Sequence, residues 1–240
     1  MNILILGHKG MLGHMLVKYL TDQNHIIQTI PYRFPSKEFK DEILNFKGDY
    51  IINAIGAIPQ KTNLFDINHE LPIWLDKYSN NTIIHAGTDC EMDDDEYGIS
   101  KRIASDYIKK YSTNTKIIKS SIIGPELDSK SSLFEWFLNQ DNQVYGYTDV
   151  MWNGNTTLEW AKQCLDLMIN WNNYDIETIL QGECLSKFDL LNKIKLVFDK
   201  KITILKDNKL KINKCLSGSI KTQNIEHQLE QLKKYYYNEI

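Results

Sequence analysis

The sequence predicts an α/β fold: a doubly wound parallel sheet with a small C-terminal α/β lobe. Three observations point there. The chain opens on a short apolar run, Asn2–Leu6, which breaks into a glycine turn and then into helical spacing. Apolar runs of strand length then alternate with amphipathic stretches through the first half of the chain. Finally, 240 residues suffice for one large domain, or one domain with a small lobe, around a full core.

Composition narrows the classes of partner. A net charge of −3 gives no strong field for nucleic acid or a membrane surface. The basic cluster Lys200, Lys201, Lys206, Lys209 and Lys211 is interrupted by apolar residues and reads as a solvated strand or loop face. The cysteines Cys90, Cys164, Cys184 and Cys215 show neither a CxxC pair nor metal-ligand spacing, and the histidines are scattered. No metal is expected. With no signal peptide and no run of about 18 apolar residues, the chain reads as cytoplasmic with reduced thiols.

The elements follow in order. Gly7, Gly10 and Gly13 separate the Asn2–Leu6 strand from a helix with Leu12, Met15, Leu16 and Leu20 on its apolar face. Strand, glycine turn, helix is the context in which glycines hold a dinucleotide. Gly7 permits the turn, Gly10 lets a pyrophosphate approach the backbone, and Gly13 lets the helix pack close. The N–H groups around Met11 and Leu12 at the helix start would hold the phosphates. The competing reading is a glycine turn with no ligand. His25–Ile30 is the second strand, and no acidic residue ends it to hold a ribose 2′-hydroxyl. Arg33 and Lys9 are instead placed for a 2′-phosphate, so NADPH is expected in preference to NADH.

Phe39–Phe46 reads as a helix, Tyr50–Ala54 as a strand, Phe65–Tyr78 as a helix and Asn81–Ala86 as a strand. That strand feeds Gly87–Lys101. Tyr97 and Lys101 are four residues apart, hence on one helix face. A phenol has a pKa of about 10, and a fixed ammonium beside it lowers that value. A Tyr so tuned can pass a proton to a carbonyl oxygen. Most Tyr-x-x-x-Lys pairs are ordinary solvated helix faces, so the pair needs its context. Lys116–Ile123 is the next strand. Ser132–Gln140 is a Ser-capped helix, Val144–Tyr147 a short strand, and Leu158–Ile169 a helix capped by the residues before it. Glu177–Gln181 is a last strand, followed by helices Ser186–Phe198 and Ile225–Tyr237.

The spacing Gly7-x-x-Gly10-x-x-Gly13, then Gly87-Thr88-Asp89, then Tyr97-x-x-x-Lys101 resembles the extended short-chain dehydrogenase/reductases, in particular the dTDP-4-dehydrorhamnose reductase-like family. The resemblance implies a Rossmann NADP-binding domain over 1–124, with segments near 144–170 packing back onto it, and a substrate lobe over 125–240. It implies that Asn53, Ala54 and Gly56 run along the cofactor, and that Lys101 also holds the nicotinamide ribose. It implies that Thr88 polarises the substrate carbonyl, that Asp89 helps position substrate, and that Tyr97 donates the proton and, with Lys101, also binds the cofactor. Asn68, followed by Pro72, is expected to bond backbone across the sheet. Ser121-x-x-Gly124-Pro125 resembles the crossing into the substrate half. The segments around Lys130 and Trp152-Asn153-Gly154 resemble a subgroup that makes UDP-linked 6-deoxyhexoses, 2-acetamido sugars among them. Ser121, Lys130, Trp152 and Asn153 are therefore substrate candidates, with Lys119 and Lys130 toward a diphosphate and Trp152 stacking on sugar or base. Each has a plainer reading as a solvated Lys or a buried Trp.

Three functions are carried forward. The first is NADPH-dependent reduction of a UDP- or dTDP-linked 4-keto-6-deoxyhexose. The second adds epimerisation: the related GDP-fucose synthases and plant rhamnose synthases use a Cys in this loop, here Cys90, with Lys130 a guess for the opposite face. The third is a regulatory subunit that binds NADPH without catalysis. The expected partner is a nucleotide sugar, with neither nucleic acid nor membrane, and a homodimer is allowed for. Only eight residues separate Thr88 from Tyr97, where the resembled family has a loop of about two dozen. The acidic run Glu91–Glu96 in its place predicts a more open, more acidic wall.

Overall fold

The computed structural model describes residues 1–237 and confirms the α/β class. The strands and helices, in chain order, begin with β1 (Asn2–Leu6), α1 (Met11–Asp22), β2 (Ile26–Thr29), α2 (Lys37–Asn45), β3 (Tyr50–Asn53) and α3 (Ile67–Tyr78). Then come β4 (Thr82–Gly87), α4 (Glu96–Tyr111), β5 (Thr115–Lys119), β6 (Ile122–Ile123), α5 (Leu133–Leu138) and β7 (Gln143–Trp152). The rest is β8 (Asn155–Thr156), α6 (Thr157–Ile169), β9 (Glu177–Gln181), β10 (Leu185–Ser186), α7 (Lys187–Val197), β11 (Thr203–Asn213), β12 (Ile220–Lys221) and α8 (Ile225–Leu232). A π-helical turn, Lys233–Tyr237, follows α8.

The chain divides into two compact units, Met1–Lys119 with Ala161–Thr178, and Ser120–Trp160 with Ile179–Ile240. The main sheet has the order β12-β9-β5-β4-β3-β1-β2. Within the first unit β1 pairs in parallel with both β2 and β3, so the strand order reverses there. In open parallel sheets that reversal leaves a crevice at the carboxyl ends of the strands, where ligands bind. Gly7 and Ala54 lie at that edge, because Leu6 pairs with Asn53.

Both faces of the central strands β1, β3 and β4 are buried, which is why they read as apolar runs, whereas β2 at the edge is largely exposed. On one face Leu4, Leu6, Ile51 and Ile83 pack with Phe39, Ile43, Leu71 and Leu75. Side-chain caps set several helix starts: Ser36 accepts from the Phe39 amide and Asp95 from the Gly98 amide at 2.6 Å. Gly10, at the start of α1, offers no side-chain cap, so the first amides of that helix keep their hydrogen-bonding capacity.

The second unit corrects four sequence expectations. The strand expected over Lys116–Ile123 ends at Lys119, because Ser120 and Ser121 are drawn onto other partners. Asn155 Nδ2 donates to Ser120 Oγ at 2.9 Å, and the Asn155 amide donates to Ser121 O at 2.9 Å. Ile122–Ile123 then pairs with β8 instead. The strand expected over Val144–Tyr147 runs on to Trp152, because β11 lies alongside it from Thr203 to Asn213. Ser132 does not cap α5 through its side chain; its amide donates to Glu126 Oε2 at 2.7 Å, and its Oγ is buried without a partner. Finally, Cys184 and Cys215 form a disulfide, Cα–Cα 5.8 Å, so the thiols are not all reduced. The half-cystines lie far apart in sequence, on the segments preceding β10 and following β11. Only tertiary structure brings them together, and their spacing carries no signal.

Among the described residues no helix is long and apolar enough to cross a membrane, and no group of His, Cys, Asp and Glu could hold a metal ion.

Candidate functional site

The glycine turn is built as a cradle. Gly7 has φ +82°, a conformation that side chains disfavour, and a Cβ there would stand 3.0 Å from the Ala54 carbonyl. The Gly10 amide donates to Gly7 O at 2.8 Å and closes the turn. A Cβ on Gly13 would fall 2.0 Å from Gly7 O, so only glycine lets α1 seat on the turn. A Cβ on Gly10 would meet only Gly7 O, at 3.3 Å; beyond it is open space over the uncapped amides of Met11 and Leu12. The residues fit a pyrophosphate. Lys9 and Arg33 are both exposed, and neither makes a salt bridge among the described residues.

Asn53 ends β3 and is fully buried. Its Oδ1 accepts from the Ile55 amide at 3.1 Å, and its Nδ2 donates to His85 Nδ1 at 3.2 Å. Asn68 is structural, as expected, but its partners differ from those expected. It bonds both the N–H and the C=O of Ala57, at 2.7 and 3.0 Å, and reaches Ser100 on α4 at 3.1 Å. It therefore ties the loop after β3 to the helix that carries Tyr97 and Lys101. Gly56 lies in that loop, and a Cβ on it would be 3.9 Å from Lys101 Nζ.

Beyond β4 the chain makes a 3-10 turn, Asp89–Met92, with Thr88 as its N-cap. The Thr88 hydroxyl accepts from the Cys90 amide at 3.3 Å and donates to Asp89 Oδ1 at 3.0 Å. Asp95 then caps α4. Gly98 allows that helix to pass beneath the turn, since a Cβ there would stand 2.4 Å from Cys90 O. The structure thus brings Thr88, Asp89, Cys90, Tyr97 and Lys101 together. Thr88 is a hydrogen-bond partner of the Tyr97 phenol, whose ring packs on Phe65 at 5.6 Å. Lys101 is buried and donates to Ala86 O at 3.0 Å.

The electrostatics differ from the sequence expectation. Burial pushes the Tyr97 phenol well above its ordinary value; charge on Cys90 adds to this, the Thr88 hydrogen bond opposes it, and charge on Asp89 and Glu91 raises it further. Lys101 does not tune Tyr97 downward here. Its own ammonium is depressed by burial, with Glu91 and then Cys90 acting against that. Burial, followed by Lys101, holds His85 well below its usual value and so neutral.

The acidic wall is also different. Glu91 turns inward and is 5% exposed, while Met92, Asp94, Asp95 and Glu96 stay outside. Arg102 clamps the segment by donating to Glu91 O at 3.1 Å and Asp93 O at 3.4 Å. Lys119, a candidate for a diphosphate, is instead paired with Glu91 at 2.8 Å and with Glu177.

The substrate candidates lie in the second unit, and three are engaged internally. Trp152 is 2% exposed; its Nε1 donates to Ser121 Oγ at 2.7 Å, and Lys187 Nζ sits 4.7 Å from its ring centroid. Its place is the core, so stacking on a sugar is not what this ring does here. Asn153 clamps Leu216 by both backbone groups, at 2.7 and 2.9 Å. Lys130 is exposed and donates to Asn139 Oδ1 at 2.7 Å. The sequence reading missed Glu91 and His85. For Glu91 a signal existed: Thr88-x-x-Glu91 is a capping-box spacing.

No family model matches the chain, and no curated protein matches it in sequence. Solved structures do. A dTDP-4-dehydrorhamnose reductase from Yersinia enterocolitica superposes with TM-score 0.75 at 14% identity, covering 98% of this chain and 99% of its own. One from Bacillus anthracis, in complex with NADP, gives 0.73 at 13%, covering 96% and 98%. The UDP-glucose 4-epimerase of Thermotoga maritima, with UDP-glucose, gives 0.76 at 13%, covering 99% of each chain. Likenesses at such identities carry the fold alone: over nearly its whole length this chain has the fold of these three solved structures.

Proposed function

We propose that this chain is an NADPH-dependent reductase of a nucleotide-linked 4-keto-6-deoxyhexose, carried on UDP or dTDP, with 2-acetamido sugars included. The observation that carries this reading is the cluster at the end of β4. There a buried ammonium lies beside Gly56 and a phenol shares a hydrogen bond with a threonine hydroxyl, in the unit that also carries the glycine cradle. Bound nicotinamide supplies the hydride for reduction of the ketone. Gly7, Gly10 and Gly13, with the first amides of α1, hold its pyrophosphate. Lys101 fixes the nicotinamide ribose.

Tyr97 delivers the proton to the nascent alkoxide. Its raised pKa keeps the phenol protonated at neutral pH, which is the form a proton donor needs. Thr88 polarises the ketone. Its hydroxyl proton is turned to Asp89 Oδ1 in this structure, so it leaves Asp89 as the carbonyl binds. That rotation of one hydroxyl is the only rearrangement asked of Thr88, and the donor then stabilises the charge that develops on the carbonyl oxygen.

The test is NADPH oxidation with UDP- and dTDP-4-keto-6-deoxyglucose and their 2-acetamido analogues. Oxidation with at least one supports the reading. NADPH binding without turnover of any of them favours the regulatory reading instead. Arg33→Ala is expected to weaken NADPH about tenfold, the worth of one charge-assisted hydrogen bond, and to leave NADH unchanged. Equal loss for both cofactors would remove Arg33 from 2′-phosphate recognition.

A second reading adds epimerisation, favoured by the place of Cys90. Its Sγ lies 3.8 Å from Asp89 Oδ1, and Cys90 is among the groups that act on Tyr97. A thiol so placed can protonate an enolate beside the ketone. Deuterium uptake at C3 or C5 from heavy water that disappears in Cys90→Ala supports it; uptake that persists removes Cys90 from the mechanism.

A further inference from the structure

We infer that Glu91 is a positioning residue for this site: its carboxylate, held between the Thr88 amide and the Lys119 ammonium, aims the Thr88 hydroxyl and keeps a negative charge beside Lys101. The inference rests on the reductase reading for its kinetic consequence, and on the structure for its geometry.

Glu91 Oε1 accepts from the Thr88 amide at 3.0 Å, and Thr88 Oγ1 accepts from the Cys90 amide. The two bonds fix Thr88 from both its backbone and its side chain, as a capping box does. Glu91 Oε2 lies 2.8 Å from Lys119 Nζ, and the Lys119 side chain is 12% exposed. Lys119 also pairs with Glu177 on β9, which Lys109 meets from α4 at 3.3 Å. Gly87 leaves the room for this, because a Cβ there would stand 3.0 Å from Glu91 Oε1 and 2.9 Å from Ile117. A carboxylate this deeply buried persists only when paired and hydrogen-bonded, and each of its oxygens has a partner.

The charged and titratable groups that act with Lys101 among the described residues are Cys90 and Glu91 from the 3-10 turn and His85 from β4, while Tyr97 stands one turn earlier on the same helix. Burial opposes the Lys101 charge, and Glu91 is the first group that restores it. The sign follows directly. Removing the Glu91 charge lowers the pKa of Lys101, so Lys101 loses its proton at lower pH. A step that needs the ammonium then fails earlier as pH rises.

The test uses the full chain with two substitutions. Glu91→Gln keeps an acceptor for the Thr88 amide and removes the charge. The alkaline limb of kcat/KM is expected to move about one unit to lower pH, on the scale at which a neighbouring charge acts, while the acid limb keeps its place. Glu91→Val removes both functions and is expected to lower kcat about a hundredfold on the pH plateau, with the alkaline limb displaced as in Glu91→Gln. Carbon-13 NMR of the Lys101 Cε in cofactor-free protein, assigned with Lys101→Arg, reads the same shift without turnover. If wild type reduces no keto sugar, the reductase reading fails and the NMR titration still decides this inference. A Lys101 titration in Glu91→Gln that superimposes on wild type would overturn it. So would an unmoved alkaline limb in an active enzyme. If Glu91→Val does not fold, Glu91→Gln alone decides.

Discussion

Tyr97→Phe is expected to lower the rate of ketone reduction about 10³-fold, within the range of general-acid catalysis, and to leave NADPH affinity unchanged. The substitution removes one oxygen. The ring keeps its edge contact with Phe65, and the helix cap at Asp95 is untouched, so the fold stays. What disappears is the phenol hydroxyl that shares a hydrogen bond with Thr88. Because burial keeps the phenol protonated, wild-type activity is expected to show no loss attributable to Tyr97 near neutral pH. Single-turnover kinetics with enzyme in excess measure this directly, separate from product release. Reduction at the wild-type rate in Tyr97→Phe would assign the proton to another group.

Gly13→Ala is expected to be the most damaging small substitution in the first unit. The new methyl would lie 2.0 Å from Gly7 O, 2.6 Å from Gly7 C and 3.0 Å from the His8 Cα. All three are backbone atoms, so no rotamer change relieves the clash. Helix α1 must lift from the turn, at a cost of about 1–3 kcal/mol. For a chain of this size that lowers Tm by roughly 2–4 °C per kcal/mol. Cofactor binding is expected to fall beyond detection, because the lifted helix carries the phosphate-binding amides with it. Gly10→Ala is the control. Its methyl meets protein only at Gly7 O, 3.3 Å away, so Tm is expected to hold while the methyl fills the path of the pyrophosphate. Equal cofactor affinity in Gly10→Ala and wild type would contradict the cradle.

Much of this was legible before any coordinates. Asn2–Leu6 and Tyr50–Asn53 announce themselves because strands buried on both faces are continuously apolar. The glycines are legible because backbone approach admits no other residue. The Tyr97–Lys101 pair is legible because helical spacing places both on one face. What the sequence hides is long-range. Ser120 and Ser121 look like strand, and they leave the sheet only because Asn155 and Trp152 claim them from more than thirty residues away. Cys184 and Cys215 look unrelated until β11 has folded back along β7. Lys119 looks like an anion-binding lysine, but its charge is answered by Glu91 and Glu177. The Tyr97 phenol is pushed up and not down: helical spacing reveals the neighbouring ammonium but not the burial that governs the phenol.

The cluster at the end of β4 is expected to reduce a ketone on a sugar nucleotide. The most direct measurement follows deuterium from NADPH labelled at nicotinamide C4 into dTDP- and UDP-4-keto-6-deoxyglucose, reading the product by NMR. One deuterium is expected at sugar C4 in the wild-type product, with a rate about 10³-fold lower in Tyr97→Phe. NADPH that binds, with no label reaching C4 of any of the sugars, would contradict it.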